Sequence, residues 1–194
     1  NDEYTGDYLM GKSHDLATLS DDGISTLKVD TIKSTGGTTA MTVDSSGRVL
    51  RSVLPAFRVG LTSQQTSTSA GLKKVEFDTT SSKNCYLQGG VTSSTGTITV
   101  PVAGLYNVGA TIRIDDVTGS NYIIAYIRKN QADNPLETTY VIVDDHGTNY
   151  HTLTVNDLFQ CQAGDELECY VYVQSDSSWN IAAERSLFNG HLVG

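Results

Sequence analysis

The sequence predicts an all-β protein, an antiparallel sandwich of the jelly-roll type with a small β-rich N-terminal arm. Segments of alternating apolar and polar residues recur every ~8–12 residues between turn residues, which is the spacing typical of such sandwiches. Gly, Ser and Thr are frequent, and this mixture suits short strands joined by tight turns. No segment has a convincing helical period.

Composition limits the size of the core and excludes some partners. The 194 residues are enough for one domain with a stable core plus an appendage, without a metal or disulfide to hold it. The net charge of −9 repels phosphate backbones and anionic lipids, so we expect no nucleic-acid partner. No apolar run approaches the ~20 residues that span a bilayer, so we expect no membrane insertion.

The three cysteines, an odd number, do not form a disulfide scaffold. We interpret them as small buried residues: Cys85, Cys161 and Cys169. Cys161 and Cys169 flank a turn, and the sequence leaves open whether they are bonded to each other. No Cys-x-x-Cys occurs, so we expect no structural zinc.

Residues 1–23 are predicted to form an extended docking arm. The segment is polar, carries mixed charge and has no convincing period. Its apolar side chains are the candidates for anchoring the arm to a partner: Leu9, Met10, Leu16 and Leu19.

Residues 24–54 are predicted to form a small β-rich linker or adaptor. Thr39–Val43 and Arg48–Leu50 have the pattern of two short strands around a Ser-Ser-Gly turn. A unit this small does not bury enough surface alone. We therefore expect it to pack on the main domain or on copies of itself.

The main domain, residues 55–194, begins at Pro55 and contains strands with one apolar face. In "GLYNVGATIRID" every second residue is apolar, and these residues are Tyr106, Val108, Ala110, Ile112 and Ile114. The opposite face carries Gly109 and Thr111, which are small enough for another group to approach closely.

Two further segments have apolar or aromatic residues on both faces. Tyr122–Asn130 is apolar on both sides through Ile127, which predicts burial against a second layer or a neighbouring subunit. Residues 158–173 are predicted to form a hairpin with Tyr170 and Tyr172 on one face, opposite Leu167, Cys169, Val171 and Val173. The final segment, "SLFNGHLVG", stays apolar almost to its last residue, unlike a frayed terminus.

Four short motifs occur in order along the main domain: Ala56-Phe57; Pro101, Gly104 and Tyr106; Gly164-Asp165; and Ser186, Phe188, Gly190 and Leu192. Together they resemble the complement 1q globular head of the tumour-necrosis-factor-like jelly-roll superfamily. The resemblance covers residues 55–194. It implies that the first and last strands lie side by side in an inner sheet, so that the C-terminal segment is an interior strand.

The same resemblance implies a tight homotrimer lined by the inner sheet. A trimer interface of this kind is similar to a core divided among three chains. The candidate interface residues are Tyr106, Tyr170, Tyr172, Phe188 and Leu192. For each tyrosine, packing within one chain is an equally good interpretation.

The N-terminal region departs from the animal members of that family, because it has no Gly-x-y stalk. Residues 27–50 instead resemble the Ser/Thr/Gly-rich segments of bacteriophage tail and virion-appendage proteins. No Asn-x-Ser/Thr sequon occurs, which disfavours a glycosylated animal ectodomain. The resemblance implies a protein of the phage virion.

We expect no catalytic residues, because no Ser-, His- or Asp-based motif is organised for chemistry. The acidic pairs Asp115-Asp116 and Asp144-Asp145 are interpreted as solvated turns. We therefore expect no metal and no cofactor. Calcium is the alternative, since some family members bind it near the trimer apex and Asp144, Asp145 and His146 offer suitable ligands.

The sequence thus predicts a non-enzymatic, homotrimeric structural protein of a phage particle. The arm would dock to other virion proteins, and the head would contact a host surface glycan or protein through loops at 115–121, 130–138, 144–150 and 175–180. The candidate contact residues are Asp144, Asp145, His146 and Trp179, although Trp179 fits a core position equally well. The alternatives are a capsid decoration protein, a secreted complement- or cytokine-like binding module, and a polysaccharide hydrolase.

Overall fold

The computed structural model describes residues 30–51, 53–78, 84–117, 119, 122–131, 137–144, 150–176 and 178–193. The predicted docking arm, with Leu9, Met10, Leu16 and Leu19, lies outside the described residues. The chain divides into two compact units, Asn1–Leu50 and Arg51–Gly194. The larger unit therefore begins at Arg51, slightly before the boundary that Pro55 indicated. The side chain of Gln88 explains the difference, since its Nε2 donates to the carbonyl oxygens of Arg51 and Leu54.

Residues 30–50, the described part of the smaller unit, form a three-stranded antiparallel sheet in the order β1-β2-β3. Its strands are β1 (Thr31–Lys33), β2 (Thr39–Val43) and β3 (Val49–Leu50), so the two strands predicted in the linker are confirmed. Asp44 shapes the turn between β2 and β3, because its Oδ1 accepts from the backbone N–H groups of Ser46 and Arg48. Several apolar side chains of this unit are exposed, namely Ile32, Val43, Val49 and Leu50.

The larger unit consists of thirteen strands and one short 3₁₀ turn, Ala183–Arg185, among its described residues. The strands are β4 (Ala56–Gly60), β5 (Gln65–Ser67), β6 (Gly71–Lys74), β7 (Tyr86–Gln88), β8 (Thr92–Ser94), β9 (Thr97–Thr99), β10 (Gly104–Asp115), β11 (Tyr122–Lys129), β12 (Thr138–Asp144), β13 (Tyr150–Cys161), β14 (Glu166–Val173), β15 (Trp179–Ile181) and β16 (Leu187–Leu192). No helix in the described part of the chain is long and apolar enough to cross a bilayer.

The thirteen strands form two antiparallel sheets. The first, which we call the terminal-strand sheet, has the order β5-β15-β10-β16-β4-β7, and β13 pairs with the other side of β10. The second, which we call the tyrosine sheet, has the order β12-β11-β14-β9-β8, and β6 also pairs with β14. This arrangement confirms the predicted all-β antiparallel jelly roll.

Alternation along β10 places its apolar face in the core, as the sequence predicts. The apolar residues are buried: Tyr106, Val108, Ala110, Ile112 and Ile114. On the opposite face, the group that approaches Gly109 belongs to the same chain. Asn156 of β13 lies against Gly109 and donates from Nδ2 to the Asn107 Oδ1 and to the Val108 carbonyl, at 2.8 and 3.0 Å.

The last strand lies inside its sheet. β16 pairs with β10 on one side and with β4 on the other, so the prediction that the first and last strands of the domain are neighbours is confirmed. Phe188 of β16 packs between Phe57 and Phe77, with ring centroids 5.1 and 5.8 Å away. Gly190 is required beside them, because a Cβ there would lie 2.7 Å from the Phe57 ring.

The predicted hairpin over residues 158–173 is wrong. β13 pairs with β10 in the terminal-strand sheet, whereas β14 pairs with β11, β9 and β6 in the tyrosine sheet. The turn at Gly164, where φ is +92°, therefore carries the chain from one layer to the other. Cys161 and Cys169 lie buried on either side of this turn as free thiols.

Candidate functional site

Tyr106 and Phe188 are core residues of the single chain, so their assignment to a trimer interface is wrong, and for Tyr106 the alternative of packing within one chain is correct. Both side chains are fully buried without any second copy. Tyr106 lies in the apolar row of β10, and its hydroxyl donates to the Val102 carbonyl at 3.0 Å. Leu192 is half-buried against the same core. The apolar face that was predicted to contact a neighbouring subunit is therefore buried within one chain.

Tyr170 and Tyr172 lie elsewhere, on the outward face of the tyrosine sheet. They are half-exposed, and their contact with another subunit stays a prediction. The structure therefore does not bring the five predicted interface residues together. Three of the five belong to strands of the terminal-strand sheet and point to the core, and two point away from the opposite layer.

The outward face of the tyrosine sheet carries five of the ten tyrosines, a group that we call the tyrosine face: Tyr122, Tyr126, Tyr140, Tyr170 and Tyr172. Tyr122 and Tyr172 stack at a centroid distance of 5.9 Å, and Tyr126 lies 5.8 Å from Tyr140. The Arg128 guanidinium lies 5.0 Å from the ring centre of Tyr126 and 5.1 Å from that of Tyr170. These contacts hold the rings in fixed positions.

A buried carboxylate lies at one end of the tyrosine face. Glu168 is 1% exposed and accepts hydrogen bonds from Lys74, Thr97 and Tyr170. Burial would raise the pKa of the Glu168 carboxyl, but the three hydrogen bonds and the Lys74 charge outweigh burial and leave the pKa below its usual value. Burial, together with the hydrogen bond to Glu168, raises the pKa of Tyr170 to about 12.

The margins of both sheets expose large apolar side chains along one side of the sandwich. Among the described residues, β12 pairs only with β11 and β13 only with β10, and β12 runs beside β13. We call this side the open edge. Its two strands carry Tyr140 (61% exposed) and Ile142 (50%), which point outward from the tyrosine sheet, and Tyr150 (61%) and Leu158 (54%), which point outward from the terminal-strand sheet. A long strand edge with such residues is typical of an interaction surface.

The loops gather at the two ends of the sandwich. Asp115 is opposite both Tyr150 and Asn180, and Tyr122 is opposite Asp144, so these residues share one end, which we call the loop rim. The described residues that bound three of the predicted contact loops, 115–121, 144–150 and 175–180, therefore lie at the loop rim. The described residues that bound the fourth loop, 130–138, lie at the opposite end, where Lys129 pairs with Leu167.

The loop rim contains a cleft with two arginines, which we call the arginine cleft. It encloses about 420 Å³ and is lined by Gln64, Arg113, Asp115, Ala182, Ala183 and Arg185. The Arg113 Nε donates to Asp115 Oδ1 at 2.6 Å, and its guanidinium lies 4.7 Å from the ring centre of Tyr150. A second cleft of about 510 Å³ shares Gln64 and is lined otherwise by Leu61 and by the hydroxyl, amide and charged residues of 62–66, 73, 76 and 78.

Sequence reasoning missed the arginine cleft. Gln64, Arg113 and Arg185 come from three distant segments, and none has a motif. The available signal was the position of Arg113 on the polar face of β10, close to the end of that strand. Alternation along β10 places Asp115 on the same face as Arg113, but the other partners of Arg113 could not be read from the sequence, because they come from other strands and from the residues beside the 3₁₀ turn.

The predicted contact residues fare differently from one another. Trp179 is fully buried, and its Nε1 donates to the Ser69 carbonyl at 3.1 Å, so the assignment of Trp179 to a host contact is wrong and the core interpretation is correct. Asp144 is exposed at the loop rim. Asp145 and His146 lie outside the described residues. No group of three or more His, Cys, Asp or Glu side chains suited to a metal occurs in the ranges that the structure describes.

Comparison with known proteins identifies the fold. The chain is similar to two crystal structures of murine APRIL, one at pH 8.0 and one at pH 5.0. Each has a TM-score of 0.54 and 11% identity, and each match covers 72% of this chain and 99% of the APRIL chain. The larger unit therefore has a tumour-necrosis-factor-like jelly-roll fold. No family model matches the sequence, and no curated protein matches it.

Proposed function

We propose that this chain is a non-enzymatic, homotrimeric binding module whose head recognises a host surface glycan or protein. The observation that carries the proposal is the open edge, where Tyr140, Ile142, Tyr150 and Leu158 are all at least half exposed. A single chain leaves these apolar side chains in water on its two edge strands. Self-association removes them from solvent. The resemblance to complement 1q and tumour-necrosis-factor-like heads favours three copies.

The finer proposal is that the module belongs to a bacteriophage particle. The support is the N-terminal sequence, which resembles phage tail and appendage segments and has no collagen-like stalk. The smaller unit also supports attachment to something larger, because its described residues form three short strands and expose Ile32, Val49 and Leu50. Residues 1–23 would supply the docking arm, and the protein would reside in the virion with its head outward.

Sedimentation equilibrium tests the trimer. The wild-type chain is expected at three times its 20.8 kDa mass. Leu158→Asp puts a charge on the open edge and should lower the mass to that of one chain at the same concentration. Val102→Asp is the matched control, since Val102 is similarly exposed outside the open edge and should keep the trimer mass. A monomeric wild type, or a Val102→Asp monomer, would contradict the proposal.

Imaging of labelled particles tests the virion assignment. A compact label attached to residues 1–20 should appear at the surface of intact phage particles, at the tail if the protein is a fibre or appendage. A regular distribution over the shell would favour the capsid decoration alternative. Particles that never carry the label would contradict a virion role.

A further inference from the structure

We propose that the arginine cleft binds the carboxylate of an acidic sugar, such as a uronic or sialic acid residue of a surface glycan. This inference rests on the proposed binding function and names its ligand class. The chain has a net charge of −9, yet this cleft at the loop rim is lined by two arginines and one carboxylate, that of Asp115.

Arg113 is held in position before any ligand arrives. Its Nε donates to Asp115, and its guanidinium packs against the Tyr150 ring. Among the described residues, no acceptor lies within hydrogen-bond distance of its two terminal nitrogens. These nitrogens form a planar fork that matches the two oxygens of a carboxylate.

Arg185 is fixed relative to Arg113 by the backbone. The residues on either side of the 3₁₀ turn both bond to Arg113: the Ala182 N–H donates to the Arg113 carbonyl at 2.9 Å, and the Ser186 Oγ accepts from the Arg113 N–H at 3.1 Å. The Arg185 side chain is exposed and has no acidic partner within the described ranges. Two cations thus face one cleft with their backbones tied together, which is a preorganised arrangement.

The size and lining of the cleft favour a sugar over a simple anion. About 420 Å³ accommodates one ring with its substituents. The Gln64 amide and the second oxygen of Asp115 are available to pair with hydroxyl groups. Ala182 and Ala183 leave room beside them. The neighbouring polar cleft, which shares Gln64, has space for the next sugar of a chain.

The overall charge limits the ligand further. A protein with a net charge of −9 repels extended polyanions, so nothing attracts a heavily sulfated or nucleic-acid chain to this surface from a distance. A glycan with isolated carboxylates experiences little repulsion and gains the paired contacts within the cleft. We therefore expect recognition of single acidic residues.

Titration calorimetry and NMR titration of the full chain test the proposal, with D-glucuronate and N-acetylneuraminate as probes. D-glucose and inorganic phosphate are the comparison ligands. Glucuronate or N-acetylneuraminate should bind at least about tenfold more tightly than either. Equal binding of glucose would overturn the carboxylate contact, and equal binding of phosphate would overturn the sugar. Binding of none of the four ligands would also overturn the proposal.

Two variants locate the site. Arg185→Ala should weaken binding of the acidic sugar by about tenfold, because it removes one charge and keeps the Arg113–Asp115 pair. Arg51→Ala is the matched control, since Arg51 is exposed at the far end of β4 from the cleft and should leave the affinity unchanged. Equal weakening by both variants, or by neither, would overturn the assignment.

Sedimentation of the same samples separates this inference from the proposed function. A monomer that binds the acidic sugar would overturn the trimer and retain the cleft. A trimer that binds no acidic sugar would overturn the cleft and retain the trimer.

Discussion

Lys74 Nζ lies 2.5 Å from Glu168 Oε1 and neutralises a carboxylate that is almost completely buried. Thr97 and Tyr170 complete the coordination of this carboxylate at 2.7 and 2.8 Å. The four residues come from β6, β9 and β14. The cluster therefore joins three strands of the tyrosine sheet through the Glu168 carboxylate. Disrupting the cluster should lower the stability of the whole sheet.

Lys74→Met should destabilise the protein strongly. It keeps most of the side-chain volume but leaves the Glu168 carboxylate buried without its cation, which costs about 3 kcal/mol of unfolding free energy. The double variant Lys74→Met with Glu168→Gln should recover a large part of that loss, because neither residue then carries a charge. Urea denaturation of the two variants measures the effect. A single variant as stable as the wild type would show that the pair contributes nothing.

Acid should weaken the fold through the same carboxyl group. The folded-state pKa of Glu168 lies below its ordinary value, so its contribution is fully present above the unfolded pKa of about 4.3 and is lost as the pH falls through the folded value. In Lys74→Met, protonation of Glu168 should stabilise the fold instead of weakening it, because it removes a buried negative charge that has lost its cation. The difference in stability between wild type and Lys74→Met should therefore shrink from pH 7 to pH 4. A constant difference over that range would contradict the assignment.

Phe188→Ala should remove much of the unfolding free energy of the larger unit. Its ring is fully buried between Phe57 and Phe77, so truncation leaves a cavity that costs about 3–5 kcal/mol. Asn189→Ala is the matched control: Asn189 is the next residue of β16, is exposed, and should change stability by less than about 0.5 kcal/mol.

Deleting Ser186–Gly194 should abolish soluble folding. A well-folded truncation would show that β16 is dispensable.

Trp179 should report a dry environment in solution. It is the only tryptophan, its side chain is fully buried, and its Nε1 hydrogen bond goes to the Ser69 carbonyl. Its fluorescence should be blue-shifted and resist acrylamide quenching until the protein unfolds. Addition of glucuronate should leave its emission unchanged. A red-shifted, easily quenched emission would show that Trp179 is exposed to solvent and would contradict its burial.

Alternation alone predicted which residues of each strand share a face. The buried row of β10, the opposed rows of β14 and the apolar final strand all follow from side chains that point alternately to opposite sides. Alternation does not say what covers a face. For this reason the assignment of Tyr106 and Phe188 to a neighbouring subunit is wrong: the core of the same chain buries them.

The family resemblance implied the pairing of the first and last strands, but the other pairing partners and the converging side chains could not be read from the sequence. The turn at Gly164 has the same local chemistry whether its flanking strands pair or separate into two layers, so the hairpin prediction failed. The arginine cleft required Arg185 to be brought to Arg113 by the contacts of Ala182 and Ser186. Such convergence depends on long-range topology, which no local pattern records.

The pairing of Ala56 with His191 has a consequence for how the head is made. β4 is the first strand of the larger unit to be synthesised, yet one of its two neighbours, β16, is the last. Until β16 arrives, β4 and β10 each present unsatisfied hydrogen-bonding groups along the side that it will fill. The sheet can close only when two strands separated by nearly the whole domain in sequence come together. We therefore expect slow folding, during which the unpaired strands need protection from aggregation.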